Sequence, residues 1–184
     1  TGIVEVNYQV GSIHYKREYF CSWRENVLVV RLTSSRAGVL SGEVALSRIA
    51  DPECTVTGRA ELDRLTMEGT FEEGVRFAVS ARVLQRGGRL TGGIREYTPL
   101  RKEPPSRCLK GCEYIFRDQE NPELPQEIEG VSTCFVAADE VILFVKIATG
   151  HEHEQPAQFC EQQLEHFSIS DYERLKNEHI AEHR

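Results

Sequence analysis

Short runs in which apolar and polar residues alternate constrain the fold of this chain more than any other feature. From Ile3 to Val10, every even position is apolar and the intervening positions 5, 7 and 9 are polar. This period of two is typical of a β-strand with one buried face. Gly11-Ser12 follows as a two-residue turn, and a second run extends from Ile13 to Trp23. The pattern therefore predicts a hairpin with a positive φ at Gly11.

Strand patterns continue through most of the chain, without a helix of useful length between them. The run VLVVRL at 27–32 lacks alternation, which predicts a strand covered on both faces. Further strands are predicted at 39–46, 62–68, 75–84, 131–137 and 140–148. Many short strands at close spacing predict a mainly β protein, an antiparallel β-sandwich.

Composition excludes several classes of function. The 184 residues fit one domain, or one and a fraction. The net charge is −7 and no stretch is strongly basic, which argues against a nucleic-acid partner. No apolar run approaches the roughly 18 residues that span a membrane, so no membrane partner is expected. Serine-elbow, phosphate-loop and dinucleotide motifs are all missing from the sequence. No cofactor is predicted.

Two segments depart from the strand pattern. Glycines and prolines interrupt residues 87–128, which predicts a long irregular insert in a β-sandwich domain that spans 1–150. Residues 151–184 are predicted to be helical, with one amphipathic helix at 157–167 and a second at 172–184. Ser170 and Glu173 have the spacing of a capping box for the second helix.

Several segments together resemble a known family. Arg17, Glu18, Phe20 and Ser22 form an Arg-Glu-x-Phe-x-Ser element, and the valine-rich segment at 29–33 follows it. Similar segments lie at 65–69, 74–77, 138–149 and 169–184. In this order they resemble the amino-terminal β-sandwich domain of glycoside hydrolase family 95, the α-L-fucosidase family. Residues 95–128 depart from the resemblance as an insertion.

The resemblance implies a supersandwich-like fold and a helical linker, residues 151–184, that leads toward an (α/α)6 barrel. The family's catalytic acid and water-activating residues lie in that barrel, so no catalytic residue carries over to this chain. We therefore expect a fragment without the catalytic barrel, a non-catalytic domain that supports this barrel in an enzyme of inverting mechanism. The barrel is the expected partner. The alternative is an independent carbohydrate-binding or protein-interaction module.

Acidic pairs and metal-binding residue types are the other features with chemical meaning. Three acidic pairs stand out, at 72/73, 139/140 and 118/120, and adjacent acids at turns are usually solvated. Cys108 and Cys112 are spaced as two zinc ligands, with Cys134, His151 or His153 as further ligands, and His179 and His183 form another pair. A disulfide between Cys108 and Cys112 is a second interpretation, and plain loop cysteines are preferred to both. We expect no tetrahedral zinc site, because no second close ligand pair follows, and a metal-dependent hydrolase has the least support.

Aromatic side chains are the remaining candidates for sugar contacts. The supply consists of Tyr8, Tyr15, Tyr19, Trp23 and Tyr97. Residues 15, 19 and 23 share one side of the second predicted strand, which indicates packing. Tyr97, in the insert, is the one residue retained as a substrate contact.

The final helix carries a narrow apolar stripe. Tyr172, Leu175 and His179 fall at i, i+3 and i+7, while the other positions are mainly polar. An isolated helix of this length is marginal in water, so it either packs on the sandwich or requires a partner. We expect a weakly held helix with fast hydrogen exchange at 174–184 that the barrel would order.

Overall fold

The computed structural model describes residues 2–49, 53–93 and 128–183. Ten strands and two helices make up this part of the chain. The strands are β1 (Val4–Val10), β2 (Ile13–Ser22), β3 (Val27–Ser34), β4 (Leu40–Ile49), β5 (Cys54–Ala60), β6 (Arg64–Phe71), β7 (Arg76–Arg86), β8 (Arg89–Gly93), β9 (Ile128–Ala138) and β10 (Glu140–Thr149). The helices are α1 (Pro156–Leu164) and α2 (Asp171–Glu182). None of the helices described is long and apolar enough to cross a membrane.

The strands form two antiparallel sheets. The large sheet has seven strands in the order β1-β2-β3-β10-β7-β6-β5, and the small sheet has three in the order β4-β9-β8. Every strand pair is antiparallel. The predicted mainly β, antiparallel sandwich is confirmed.

Strand β10 lies in the middle of the large sheet, and both of its faces are buried. Val141 and Leu143 pack with Phe135 and Leu40 of the small sheet. Ile142 and the alternate positions of β10 face the opposite way, toward a cluster that contains Phe20, Phe144, Leu164, Tyr172 and Leu175. The large sheet is thus the central layer, with the small sheet on one face and both helices on the other.

Strands β5 and β8 were not predicted, and the predicted buried face of β1 is wrong. Strand β5 was missed because its alternation is weak. At Gly58 a Cβ atom would lie 2.5 Å from Val131 Cγ1, so the close packing of the two sheets leaves no room for a side chain there. Strand β8 lies within the predicted irregular segment 87–128, of which residues 94–127 are outside the described part. All residues of β1 are exposed, although the alternation predicted a buried face.

The helices begin and end near the predicted positions, but the predicted capping box is wrong. Ser170 has helical backbone angles and makes no side-chain cap hydrogen bond. Asp171 takes over instead, since its Oδ2 accepts the Ser168 backbone N–H at 2.9 Å and the Ser168 hydroxyl at 2.7 Å. These hydrogen bonds order the short loop between α1 and α2.

Candidate functional site

The sheet face that holds α2 combines buried apolar side chains with ion pairs. Alternate side chains of β2 and β3 point to this face because neighbouring strand positions point to opposite sides. We call Glu18, Phe20, Val29 and Arg31 the docking face. Glu18, Phe20 and Val29 are buried beneath the helices, and Arg31 is partly buried.

The predicted stripe of α2 is the apolar half of this contact. Tyr172, Leu175 and His179 are 1%, 0% and 3% exposed. The Phe20 ring meets Tyr172 edge-on at 5.9 Å between centroids and lies 5.2 Å from the His179 ring. Of the two alternatives left by the sequence, the helix therefore packs on the sandwich. The rate of hydrogen exchange at the α2 amides stays a prediction. The burial of the stripe favours slow exchange, whereas the sequence led us to expect fast exchange.

Glu18 is the polar centre of the docking face. Its side chain is 3% exposed, and its Oε1 accepts hydrogen bonds from Lys176 Nζ at 2.6 Å and Lys16 Nζ at 3.1 Å. Burial alone would raise the pKa of this carboxyl, but the hydrogen bonds from the two lysines outweigh it and lower the pKa to about 2. Glu18 is therefore ionised at neutral pH and cannot act as a general acid.

Arg31, a member of the docking face, contacts side chains of both β10 and α2. Its Nε donates to Glu140 Oε1 at 2.6 Å, and its Nη1 lies 3.4 Å from Glu173 Oε1 on α2. The guanidinium also lies 4.5 Å from the centroid of the Tyr172 ring. Arginine suits this position because its planar group can stack and form ion pairs at the same time. Arg31 thus joins β3, β10 and α2.

The turn between β2 and β3 is held against α2 by ion pairs near both ends of the helix. Glu182 lies 3.1 Å from Arg24, and Arg174 lies 3.4 Å from Glu25. The buried Lys146 Nζ donates to the Glu25 backbone carbonyl at 2.7 Å, and burial lowers the pKa of this lysine. The whole length of α2 is therefore fastened to the sheet.

Helix α1 is attached to the same sheet by a separate set of polar contacts. Arg82 Nη1 donates to three carbonyls at and just after the end of the helix, those of Leu164 at 3.1 Å, Glu165 at 2.5 Å and Phe167 at 2.8 Å. The last carbonyls of a helix have no N–H partner further along it, so a cation there stabilises the helix end. At the other side, Glu161 accepts from the Thr66 hydroxyl at 2.6 Å.

All four residues of the docking face belong to segments that carried the family resemblance. Glu18 and Phe20 come from the Arg-Glu-x-Phe-x-Ser element, and Ser22 Oγ accepts the Glu25 N–H at 3.4 Å in the adjoining turn. Arg31 comes from the valine-rich segment and Tyr172 from the final helix. The residues from these three segments therefore attach α2 to the large sheet. Lys176, which the sequence reasoning missed, carries no local signal because its partner Glu18 lies 158 positions away.

The described acidic pairs have structural or solvated positions. Asp139 Oδ1 accepts the Gly38 N–H at 2.7 Å, and Glu140 bonds to Arg31. Glu72 and Glu73 are exposed in the turn between β6 and β7. The pair 118/120 lies outside the described residues. The geometry supports a structural role for the pair 139/140.

No cluster of three or more potential metal ligands occurs within 2–49, 53–93 and 128–183. Cys108 and Cys112 lie outside these ranges, so their zinc and disulfide alternatives stay open. Cys134 is half-buried on β9 and free. His151 is exposed, and the His153 ring stacks on Phe159 at 3.5 Å between centroids.

The aromatic candidates are distributed over separate surfaces. Tyr8 and Tyr15 stack on each other with centroids 5.1 Å apart, and Tyr15 also packs against the core. Tyr19 is half-buried. Trp23 is 85% exposed in the β2–β3 turn, so its predicted packing role is wrong. Tyr97 lies outside the described residues, and its assignment as a substrate contact stays a prediction.

His179 is a poorly satisfied group of the docking contact. Both ring nitrogens are buried, and neither finds a hydrogen-bond partner in the described part of the chain. A buried polar atom without a partner costs about 1–3 kcal/mol. We expect His179→Leu to raise the free energy of unfolding by up to about 1 kcal/mol, measured by urea denaturation. His183→Leu, which alters the more exposed neighbour, serves as the control, and a destabilised His179→Leu protein would contradict this reading.

Comparison with known proteins assigns the family. Residues 1–97 match the model of the N-terminal domain of glycosyl hydrolase family 65. A search of curated proteins found no match. The match confirms the broader part of the resemblance, an amino-terminal domain of a glycoside hydrolase, but names family 65 instead of family 95. Because it covers just over half of the 184 residues, the chain belongs to the glycosyl hydrolase family 65 N-terminal domains.

Proposed function

We propose that this chain is a non-catalytic domain that supports and orients the catalytic (α/α)6 barrel of a glycosidase. The observation that carries the proposal is the attachment of α2 along its whole length, by a buried apolar stripe and the ionised Glu18. A helix fixed in this way leaves the sheet in one defined direction. It can therefore position whatever domain follows it with little loss of conformational entropy on assembly.

The outer side of α2 fits a support role as well. Asn177 and Glu173 are exposed there and polar. A polar outer face is typical of interdomain contacts, which are less apolar than a domain core. The barrel would thus contact a preformed helix surface, and it would not need to order that helix.

For the substrate, we propose an α-L-fucosidase or a related glycosidase of family 95 type as the parent enzyme. The support is the order of motifs from Arg17 to Asp171-Tyr172, which resembles that family over most of the chain. Such an enzyme would hydrolyse its glycosidic bond with inversion, using two carboxyl groups in the barrel. The docking face contributes no proton donor, because Glu18 stays ionised.

The first experiment assays the chain alone and the protein encoded by its full reading frame. We expect no hydrolysis of an aryl α-L-fucoside by residues 1–184 and turnover by the full-length protein. A panel of other aryl glycosides tests the substrate separately from the support role. Hydrolysis by residues 1–184 that is lost on changing Glu72 or Glu140 to Gln would overturn the non-catalytic assignment. A reading frame without a barrel would overturn the support role.

A carbohydrate-binding module is the second candidate, since Trp23 presents an exposed aromatic ring. Trp23→Ala should then abolish retention of the chain on an immobilised polysaccharide, because stacking on sugars requires a free aromatic face. Equal migration of the wild type and the variant in affinity gels that contain fucosylated or other polysaccharides would remove this alternative.

A further inference from the structure

The outer edge of the large sheet is unusually apolar and accessible. Strand β1 forms this edge, and within the described residues no strand pairs with its outer side. All seven residues of β1 are exposed. Val4, Val6, Tyr8 and Val10 share one face and are 60%, 43%, 38% and 60% exposed. The small sheet, which covers the middle of this face, does not bury the side chains of β1.

The hairpin geometry shows which backbone groups of β1 point outward. In a two-residue hairpin, the residues that flank the turn, here Val10 and Ile13, form a hydrogen-bonded pair. Hydrogen-bonded and non-hydrogen-bonded pairs then alternate along an antiparallel ladder. The N–H and C=O groups of Glu5, Asn7 and Gln9 therefore face away from β2 and are free to pair with another strand.

Within the part of the chain that the structure describes, the edge lacks the usual devices that prevent strand pairing. Natural edge strands carry proline, lysine, a bulge or a covering segment. Strand β1 has neither proline nor lysine, and its register with β2 runs without a shift from Val4 to Val10. Glu5 is its single charged side chain, and this charge is neutralised within the same chain by Lys16 at 2.9 Å.

The sequence of β1 is complementary to itself in one antiparallel register. With Asn7 opposite Asn7 of a second copy, Glu5 lies opposite Gln9, and both are hydrogen-bonded pairs. Val6 then lies opposite Tyr8, and Val4 lies opposite Val10, so all apolar residues meet on one face. A shift by two residues leaves Val4 or Val10 without a partner, and a shift by one opposes apolar and polar side chains.

We propose that β1 is a homodimer interface in which two copies of this chain pair their edges antiparallel about a two-fold axis at Asn7. The arrangement is isologous, as in most soluble dimers, and joins two seven-stranded sheets into one. It hides the free backbone groups of both edges and merges the two apolar faces. This inference is independent of the proposed glycosidase function.

Sedimentation velocity over a concentration series tests the dimer. Asn7→Pro removes an outward N–H that β2 does not use, so the fold tolerates it while the edge cannot pair. We expect dimers for the wild type and for the matched control Asn7→Ala, and at least a tenfold weaker association for Asn7→Pro with an unchanged near-UV spectrum. If Asn7→Pro disturbs folding, Val6→Lys on the exposed apolar face provides the same test.

Cysteine cross-linking tests the register. The two-fold axis places Asn7→Cys opposite its own copy within disulfide distance, whereas Glu5→Cys lies opposite Gln9. Mild oxidation with diamide should therefore cross-link the first variant far more than the second or the wild type. A wild type that stays monomeric up to about 200 µM, well above a micromolar Kd, would overturn the proposal. Equal cross-linking of both variants would overturn the register.

Discussion

Replacing Leu175 by Ala is expected to lower the free energy of unfolding by about 2–5 kcal/mol, the usual cost of a large cavity in a packed core. The side chain is fully buried between α2 and the docking face. Since α2 is marginal without tertiary contacts, we also expect faster hydrogen exchange over the helix in this variant. Urea denaturation gives the free energy, and native-state exchange followed by mass spectrometry gives the protection of residues 171–182.

Asn177→Ala is the matched control, because Asn177 is exposed on the same helix. A change within about 0.5 kcal/mol is expected for it. Wild-type exchange that is fast throughout 174–183, unaffected by Leu175→Ala, would show that the helix is held only weakly and would restore the original expectation. Slow wild-type exchange that Leu175→Ala accelerates would confirm that the sandwich alone orders the helix.

Periodicity predicted most of the fold because strand and helix patterns depend on neighbouring residues. Alternation located β2 and β10, and the spacing of Tyr172, Leu175 and His179 identified the face of α2 that is buried. The same reasoning was wrong for β1. Alternation shows which side chains share a face, but whether anything covers that face depends on a sheet assembled from distant segments.

Glycine explains both missed strands. Gly58 in β5 leaves room for Val131, and β8 ends at Gly92-Gly93, so strand propensity is low in segments that the sheets nevertheless pair. The contacts with β6 and β9 outweigh this local preference. Glycine in a sequence thus signals a turn and close sheet packing equally well, and local reasoning cannot separate the two.

The candidate site was the least predictable part, because it is built from ion pairs between distant residues. Glu18 was singled out as a member of a motif, but its lysine partner on α2 was not recognised. Acidic pairs attracted attention as catalytic candidates, whereas the described pair 139/140 makes structural contacts. The decisive information is the long-range pairing of β2, β3 and β10, which brings residues from three parts of the chain under one helix.

Glu18→Gln is expected to destabilise the protein by about 2–4 kcal/mol at pH 7, because it removes a buried charge and leaves Lys176 without its counterion, whereas Lys16 keeps Glu5. The same carboxyl makes stability depend on pH. Its pKa falls from an ordinary value of 4.5 to about 2 on folding. Because the pKa of Glu18 is lower in the folded than in the unfolded protein, the ionised carboxylate stabilises the native state at pH values above the unfolded pKa. This contribution is lost as the pH falls through the folded pKa. The full contribution amounts to about 3 kcal/mol.

Urea denaturation of the wild type and Glu18→Gln at several pH values isolates this contribution from those of other carboxyls. The difference between the two proteins should be constant from pH 7 to about 5 and should shrink between about pH 4.5 and 2. Glu173→Gln is the control, since Glu173 forms an ion pair with Arg31 across the same contact but its side chain is 66% exposed. Its effect should stay below about 1 kcal/mol. A difference between wild type and Glu18→Gln that stays constant down to pH 2 would show that the pKa of Glu18 is not lowered in the folded protein.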